Sequence, residues 1–344
     1  MKPFAFGKDK SEITKGVAIL MMMWLHTFGT EQSIGCYTSF WNIGGGNFEN
    51  LLAKACNPVG LFMVLSGYGL YLSFLKSEGK VTLMQNFHQT THRTIRMYIP
   101  WWITLAIGVP ISFLAGIIET SFSLEELICH LFAWNVSWNN VGWYILPFAI
   151  ISYLMHFIFP SFKKHSLLWL VFGIVTYIGI NKVYGMYWGY ISVHQEIKII
   201  CRLFEFLFPM LLGSWVAKNR EFEIRSLLLE KYISAICALC IPMMFVLSMY
   251  LRGIPMYPIY CAVLVLFIVN TNYTNIISKV LATLGKHSLN IWFIHLYLIP
   301  FAYKLHFSPI VYLMIVLGSL YLSTIVNLLS NQVKARLQVN YMKL

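Results

Sequence analysis

A cation and an imidazole share one face of the first apolar segment. Lys15 and His26 are eleven residues apart, and eleven steps of about 100° return almost to the same side of a helix, about 16 Å further along its axis. An ionisable side chain in hydrocarbon costs on the order of 3 kcal/mol, so it usually faces a cavity and has a function. Imidazole can take a proton from a hydroxyl that attacks a carbonyl. His26 is therefore a candidate general base, and the alternative is a histidine that only bonds to a neighbouring helix.

Two arginines, Arg93 and Arg96, stand three residues apart before a later apolar segment and so share a helical face. Guanidinium groups bind phosphate through two parallel hydrogen bonds, which suits the phosphates of coenzyme A. Basic residues at the cytoplasmic end of a membrane helix also have a purely topological explanation. The pair alone leaves both interpretations open.

Arg202 and Glu205 form another pair at helical spacing, and Glu205 is the carboxylate that we place well inside an apolar segment. An ion pair with Arg202 would lower its cost of burial. Glu205 can instead orient an imidazole or hold an acceptor hydroxyl. His295 is a second-rank candidate, since the rise of about 1.5 Å per residue brings it to a depth close to that of His26.

Tryptophans and asparagines are frequent in the stretch 133–144, which includes Trp143 and Tyr144. Such side chains can stack on a sugar and hydrogen-bond to it, but an interfacial aromatic belt explains the tryptophans at least as well. The seven cysteines lack metal-ligand spacing, so we expect packing roles and no metal site. The sequence leaves open whether Cys36 and Cys56 pair.

The elements that must position these residues are membrane helices, because 58% of the 344 residues are hydrophobic and only 11% are charged. Segments long enough to cross about 30 Å of hydrocarbon occur at 13–30, 55–75, 97–118, 143–159, 167–183, 200–217, 231–250, 256–272, 286–304 and 309–330. The segment 125–134 is too short to span. We predict an all-α, polytopic membrane protein of about ten transmembrane helices, forming a single transmembrane domain over residues 1–344 without a separate soluble domain.

The net charge of +12 is explained by topology rather than by nucleic acid, since the basic residues form no long run. With the N-terminus inside, nineteen of the 25 Lys and Arg residues fall in cytoplasmic segments. We therefore predict that both termini are cytoplasmic, that the lipid bilayer is a partner and that nucleic acid is not.

Several motifs, in this order, resemble the acyltransferase-3 family of integral membrane acyltransferases along most of the chain. The first is a basic residue, ten intervening residues and a histidine, here Lys15 to His26. The others are Gly60 to Tyr68, Arg93 to Arg96, Gly142 to Leu146, Arg202 to Gly213 and Leu284 to His295. Each motif is modestly specific, and their joint order is strongly so.

The resemblance implies an enzyme of the bacterial cytoplasmic (inner) membrane that takes an acyl group, usually acetyl, from cytoplasmic acyl-CoA and delivers it to extracytoplasmic carbohydrate. It implies a catalytic role for His26 and importance for Arg93 and Arg96, while Lys15 replaces the commoner arginine. We expect acetyl-CoA to be the donor, with Lys15 helping to bind its phosphates. We also expect Glu205 to orient the imidazole or the acceptor. Supporting or acceptor-binding roles are expected for Arg202, His295, Trp143 and Tyr144.

Alternatives stay open at this level. His26 can act as a general base or can itself carry the acyl group between two half-reactions. A polytopic transporter of a small anionic solute also fits scattered charges near the midplane, although no paired Gly/Pro-interrupted helices point to it. The sequence is compatible with either a monomer or a homodimer.

Overall fold

The computed structural model describes residues 2–30, 33, 35–43, 46–77, 82–116, 123–223 and 256–341, together with six single positions between 235 and 246. The predicted segment 231–250 lies almost entirely outside these residues. The described helices are α1 (Lys8–Phe28), α2 (Phe48–Ala55), α3 (Pro58–Ser77), α4 (Leu83–Leu114), α5 (Leu124–Leu131), α6 (Ile145–Lys164), α7 (Ser166–Val193), α8 (Gln195–Lys218), α9 (Met256–Asn270), α10 (Asn275–Ile294), α11 (Ile299–Ala302) and α12 (Ser308–Tyr341). Three 3₁₀ turns (Asn140–Tyr144, His295–Tyr297 and Tyr303–Leu305) and two short antiparallel strands, β1 (Asn42–Ile43) and β2 (Gly46–Asn47), complete the described elements.

The described chain is an all-α, polytopic membrane protein. Six helical stretches are long and apolar enough to cross a bilayer: Phe48–Ser77, Leu83–Leu114, Asn140–Lys164, Ser166–Val193, Gln195–Lys218 and Ser308–Arg336. Large apolar side chains are exposed on them, for example Leu167 at 73% and Leu328 at 65%. Helices α1 and α10 have 21 and 20 residues, enough for about 30 Å. The count of about ten spans and the side of each terminus stay predictions.

Two predicted segments differ from the observed helices in ways that affect the site. The segment predicted at 97–118 belongs to α4, which begins at Leu83, so Arg93 and Arg96 lie within a continuous helix. The segment predicted at 286–304 is not one helix, because α10 ends at Ile294 and a 3₁₀ turn begins at His295. Pro300 then lies in the first turn of α11. A proline lacks the N–H that would continue an α-helical ladder and is tolerated in a first turn, which explains the new start.

The chain forms two compact units, and the first comprises Met1–Ala18, Lys54–His88 and Pro147–Gly285. Its helices α3 and α8 approach closely because each places a glycine against the backbone of the other. A Cβ atom on Gly67 would lie 2.0 Å from the Met210 carbonyl oxygen, and one on Gly213 would lie 1.9 Å from that of Val64. Ser214 donates to the Gly67 carbonyl at 3.2 Å.

Helices α1 and α10 use the same device within the first unit. A Cβ atom on Gly16 would lie 2.1 Å from the Leu281 carbonyl oxygen, and one on Gly285 would lie 1.8 Å from that of Glu12. The glycine after Lys15 in the first motif therefore has a packing explanation, because no larger residue leaves room for the neighbouring backbone.

The second unit comprises Ile19–Ala53, Gln89–Leu146 and Lys286–Leu344. Tyrosines tie its helices to the last turns of α1. Tyr312 on α12 donates to the Leu20 carbonyl at 2.9 Å, and Tyr303 donates to the Thr27 carbonyl. Trp24 packs edge-on against Tyr312, with ring centroids 4.9 Å apart. The C-terminal part of α1, which carries His26, is therefore held by the side chains of Tyr303 and Tyr312.

Candidate active site

Two histidines from opposite ends of the sequence are in direct contact in the second unit. His26 Nδ1 lies 2.7 Å from His295 Nε2. The rings are nearly parallel, at an interplanar angle of 4° and a centroid distance of 5.0 Å. His26 occupies the last turn of α1, and His295 is the first residue after α10. His295 is fully buried, whereas His26 is half-buried.

The second nitrogen of His295 is also in hydrogen-bond contact. His295 Nδ1 lies 3.0 Å from the Ile291 carbonyl oxygen. A histidine close to the C-terminus of a helix can hydrogen-bond to a carbonyl of its last turn. Another carbonyl at this end, that of Phe293, accepts from Asn139 Nδ2 at 2.7 Å. The end of α10 is thus closed by two side chains, one of which is His295.

Stacked aromatic rings support the end of α10. Tyr144 stacks on Trp292, with centroids 4.0 Å apart and an interplanar angle of 17°, and it is itself 5% exposed. Trp101 on α4 meets Phe293 edge-on at 5.4 Å. Tyr144 therefore packs against the last turn of α10, which ends directly before His295. Its role in supporting the site or in binding an acceptor stays a prediction.

The tryptophan- and asparagine-rich stretch is largely part of the core. Trp138 is 3% exposed and stacks on His130 of α5 at a centroid distance of 3.9 Å. Tyr297 donates to the Trp138 carbonyl at 3.2 Å. Trp134 is exposed and Trp143 is half-buried. Buried Trp138 has no free face for a sugar, so only the more exposed tryptophans are candidates for stacking. The role of Trp143 in binding an acceptor stays a prediction.

Arg93 and Arg96 are exposed on α4 and belong to a larger set of cations in the second unit. The charge of Arg96 acts on Lys334 of α12. Arg336 lines a cavity of about 270 Å³ between α4 and α12. The other residues lining this cavity are mainly apolar: Ile103, Ala106, Ile107, Leu329, Gln332 and Val333. Lys334 and Arg336 are among the nineteen basic residues of the predicted cytoplasmic segments, and no short spacing in the sequence relates them to the arginine pair.

Lys15, Arg202 and Glu205 lie in the first unit. Lys15 is half-buried, and the charges of Glu12 and Lys8 act on it. Arg202 donates to Glu205 one helical turn later, as the spacing predicts. The Arg202 guanidinium also lies over the ring of Tyr184, 4.9 Å from its centroid. Arg202 and Glu205 therefore form the ion pair that the sequence offered as a structural alternative. The roles of Lys15 and Glu205 in catalysis or binding stay predictions.

A buried carboxylate that sequence analysis missed is Glu49 in the second unit. It is 1% exposed and accepts hydrogen bonds from the Phe40 N–H at 2.7 Å and from the hydroxyls of Ser39 and Ser308. These groups join the stretch before α2 to the first turn of α12. Ser308 is 259 residues from Glu49, so no local pattern signals the contact.

No group of three or more His, Cys, Asp or Glu side chains is arranged to hold a metal ion among the residues that the structure describes.

The fold and the site together define a multi-pass integral membrane protein with a histidine pair at the joined ends of two helices. The profile of the acyltransferase-3 family, described as an acyltransferase domain, matches residues 10–328. The chain belongs to this family and is a membrane acyltransferase, which confirms the resemblance drawn from the motifs. No curated protein and no solved structure matches the chain.

Proposed function

We propose that the protein transfers an acyl group from cytoplasmic acyl-CoA to a hydroxyl of an extracytoplasmic or lipid-linked carbohydrate. The acyl group that we propose is acetyl. Membership of the acyltransferase family supports acyl transfer and favours an enzyme over a carrier. The observation that carries the chemical part of the proposal is the contact between His26 and His295. It supplies an imidazole whose ring is oriented by a second group, as in acyl-transfer enzymes on unrelated folds.

The reaction begins with the acceptor hydroxyl next to His26. His26 takes the hydroxyl proton as the oxygen attacks the thioester carbonyl carbon. The carbon–sulfur bond then breaks, and the leaving thiolate takes the proton back from the His26 imidazolium. The products are the carbohydrate ester and free coenzyme A, and His26 returns to its neutral form.

The donor is bound through its phosphates by the cations of the second unit. Arg93 and Arg96 point from one face of α4, and Lys334 adds a positive charge from α12. The like charges of Arg96 and Lys334 act on each other, and an anion that binds between them stabilises both. Arg93 adds a third cation on the same helix, which suits a group with several phosphates. The roles expected from the sequence stay predictions for two further residues. Lys15 is expected to help bind the phosphates, and Glu205 is expected to orient the imidazole or the acceptor.

The test uses detergent-purified full-length protein and acetyl-CoA labelled in the acetyl group. Binding is measured by calorimetry, and transfer is measured as label recovered on a panel of polysaccharide and lipid-linked sugar acceptors. We expect acetyl-CoA to bind, label to appear in a sugar ester, and His26→Ala to retain binding but lose transfer. Folded wild-type protein that neither binds acetyl-CoA nor releases coenzyme A would refute the proposal.

The same assay separates a general base from an acyl-histidine. In the proposed mechanism, protein incubated with labelled acetyl-CoA in the absence of acceptor stays unlabelled after denaturation. Label that remains covalently attached to wild-type protein but not to His26→Ala would replace the direct transfer by two half-reactions through His26.

A further inference from the structure

We propose that His295 is the positioning residue for His26: it holds the neutral His26 ring with the proton on Nδ1, so that Nε2 is the basic nitrogen. This inference rests on the proposed function for its catalytic meaning, but the tautomer that it assigns is a property of the resting protein. His295 does not touch the reacting atoms in this scheme and acts only through His26.

The assignment follows from what each atom can donate or accept. The Ile291 carbonyl can only accept a hydrogen bond, so the contact at 3.0 Å requires a proton on His295 Nδ1. A neutral imidazole carries one N–H and one lone pair, so Nε2 of His295 is then an acceptor. The contact of 2.7 Å with His26 Nδ1 is consequently donated by His26. His26 Nε2 therefore carries the lone pair.

The opposite arrangement is disfavoured by burial. If His26 accepted at Nδ1, His295 would have to donate from Nε2, and its Nδ1 lone pair would face the Ile291 carbonyl oxygen. His295 is 0% exposed, so bulk water does not compensate for two acceptors in contact. The Ile291 carbonyl at the end of α10 would lose its side-chain donor as well.

The backbone that carries His295 is held by contacts of two residues shortly before it. The residues just before it are fixed by the Asn139 bond to the Phe293 carbonyl and by the stack of Tyr144 on Trp292. Within this support the two imidazole rings lie within 4° of parallel. When His26 becomes protonated during transfer, its Nδ1–H continues to donate to neutral His295, so the positive charge keeps a partner throughout.

The tautomer can be measured without any acceptor. Protein labelled with ¹⁵N-histidine in lipid nanodiscs gives nitrogen shifts that distinguish a protonated from an unprotonated ring nitrogen, and His26→Gln identifies the His26 signals. We expect wild-type His26 to show a protonated Nδ1 and an unprotonated Nε2. A proton on Nε2 of His26 in the wild-type protein would overturn the inference.

Kinetics supply the second readout. His295→Leu removes the acceptor and should lower kcat by about 100-fold or more while leaving acetyl-CoA affinity unchanged, and the His26 signals should lose their preference for Nδ1–H. His295→Gln keeps a neutral acceptor oxygen and should recover part of kcat, which also keeps the test valid if the leucine variant misfolds. Unchanged kcat in both variants would contradict the positioning role.

The controls separate this inference from the proposed function. His306→Asn removes an exposed histidine with a positive φ of 57° that asparagine tolerates, and it should leave kcat and the His26 signals unchanged. If wild-type protein shows the Nδ1–H tautomer but transfers no acetyl group, the proposed function fails while the assigned tautomer stands. If it transfers acetyl but carries the proton on Nε2 of His26, only the positioning role fails.

Discussion

His26 Nδ1 and His295 Nε2 lie 2.7 Å apart although the two residues are separated by 269 positions in the sequence. The contact joins the last turn of α1 to the residue at which α10 gives way to a 3₁₀ turn. A helix end is a favourable place for such a pair, because a carbonyl of the last turn can orient the ring of His295.

Replacing His26 by alanine should abolish acyl transfer without unfolding the protein. Alanine is the best helix former, and the lost imidazole is only half-buried. General-base catalysis contributes about 100-fold to 10,000-fold, so transfer should fall by at least two orders of magnitude. Initial rates and calorimetric acetyl-CoA binding measure the two effects, and near wild-type transfer by the variant would exclude the proposed role.

Removal of the α4 arginines or of Lys334 on α12 should weaken donor binding more than turnover. Arg93→Ala and Arg96→Ala should each raise the Kd of acetyl-CoA by about tenfold or more, and Lys334→Gln should act in the same direction. Lys164→Gln removes an exposed lysine of α6 as a matched control. If the Kd of acetyl-CoA changes equally in all four variants, or in none of them, these cations do not form the donor site.

The α3–α8 contact should depend on one glycine and not on its neighbour. A Cβ atom on Gly67 would lie 2.0 Å from the Met210 carbonyl oxygen, whereas one on Gly69 has no neighbour within 4 Å. Gly67→Ala should therefore destabilise the protein by about 1–3 kcal/mol through overpacking. Gly69→Ala should be neutral or slightly stabilising, because alanine favours the helix. Thermal unfolding of both variants in one detergent makes the comparison, and equal midpoints would argue against the close contact.

Loss of the Glu49 carboxylate should destabilise the protein. Glu49→Ala removes the carboxylate that accepts from the Phe40 N–H and the Ser308 hydroxyl, and hydrogen bonds to a charged group contribute about 1.5–3 kcal/mol each. The Phe40 N–H then keeps only the longer bond to the Ser308 hydroxyl oxygen, at 3.1 Å. Ser39→Ala, which removes a single donor to the same carboxylate, should cost less. Thermal midpoints rank the variants, and a Glu49→Ala variant as stable as Ser39→Ala would show that the carboxylate is dispensable.

Acidification should destabilise the protein through His130 of α5. Its Nδ1 lies 2.7 Å from the Glu126 carbonyl and its Nε2 accepts from the Trp138 N–H at 3.2 Å, so the ring is held neutral. Burial lowers the pKa of His130 below its ordinary value of 6.5. The unfolded chain therefore binds the proton first, and stability present above pH 6.5 is lost as pH falls from there through the lower folded pKa.

The variant His130→Gln isolates this contribution. It should have a lower thermal midpoint than wild type at pH 7.5, because buried hydrogen bonds are lost. Its midpoint should then change less than that of wild type between pH 7.5 and pH 5.5. Parallel pH dependence in the two proteins would assign the acid sensitivity to other groups.

The sequence by itself determined the class of protein and several local pairs. A continuous apolar segment of about 20 residues can cross a bilayer as a helix, which satisfies its backbone hydrogen bonds internally. The all-α membrane fold therefore follows from composition and hydropathy. The Arg202–Glu205 bond follows from helical spacing alone, since residues three apart share a face. The ordered motifs were sufficient to indicate the family that the profile match confirms.

Only the tertiary structure decided which of these residues meet. Periodicity relates residues within one or two turns of a helix, and it placed His26 and His295 at similar depths but did not pair them. Their contact depends on where α10 ends. That end is held by the Asn139 hydrogen bond and by the stack of Tyr144 on Trp292, and Pro300 begins the next helix, α11. Such a helix end is stabilised by partners that are distant in sequence, because its own chain cannot satisfy its last carbonyls.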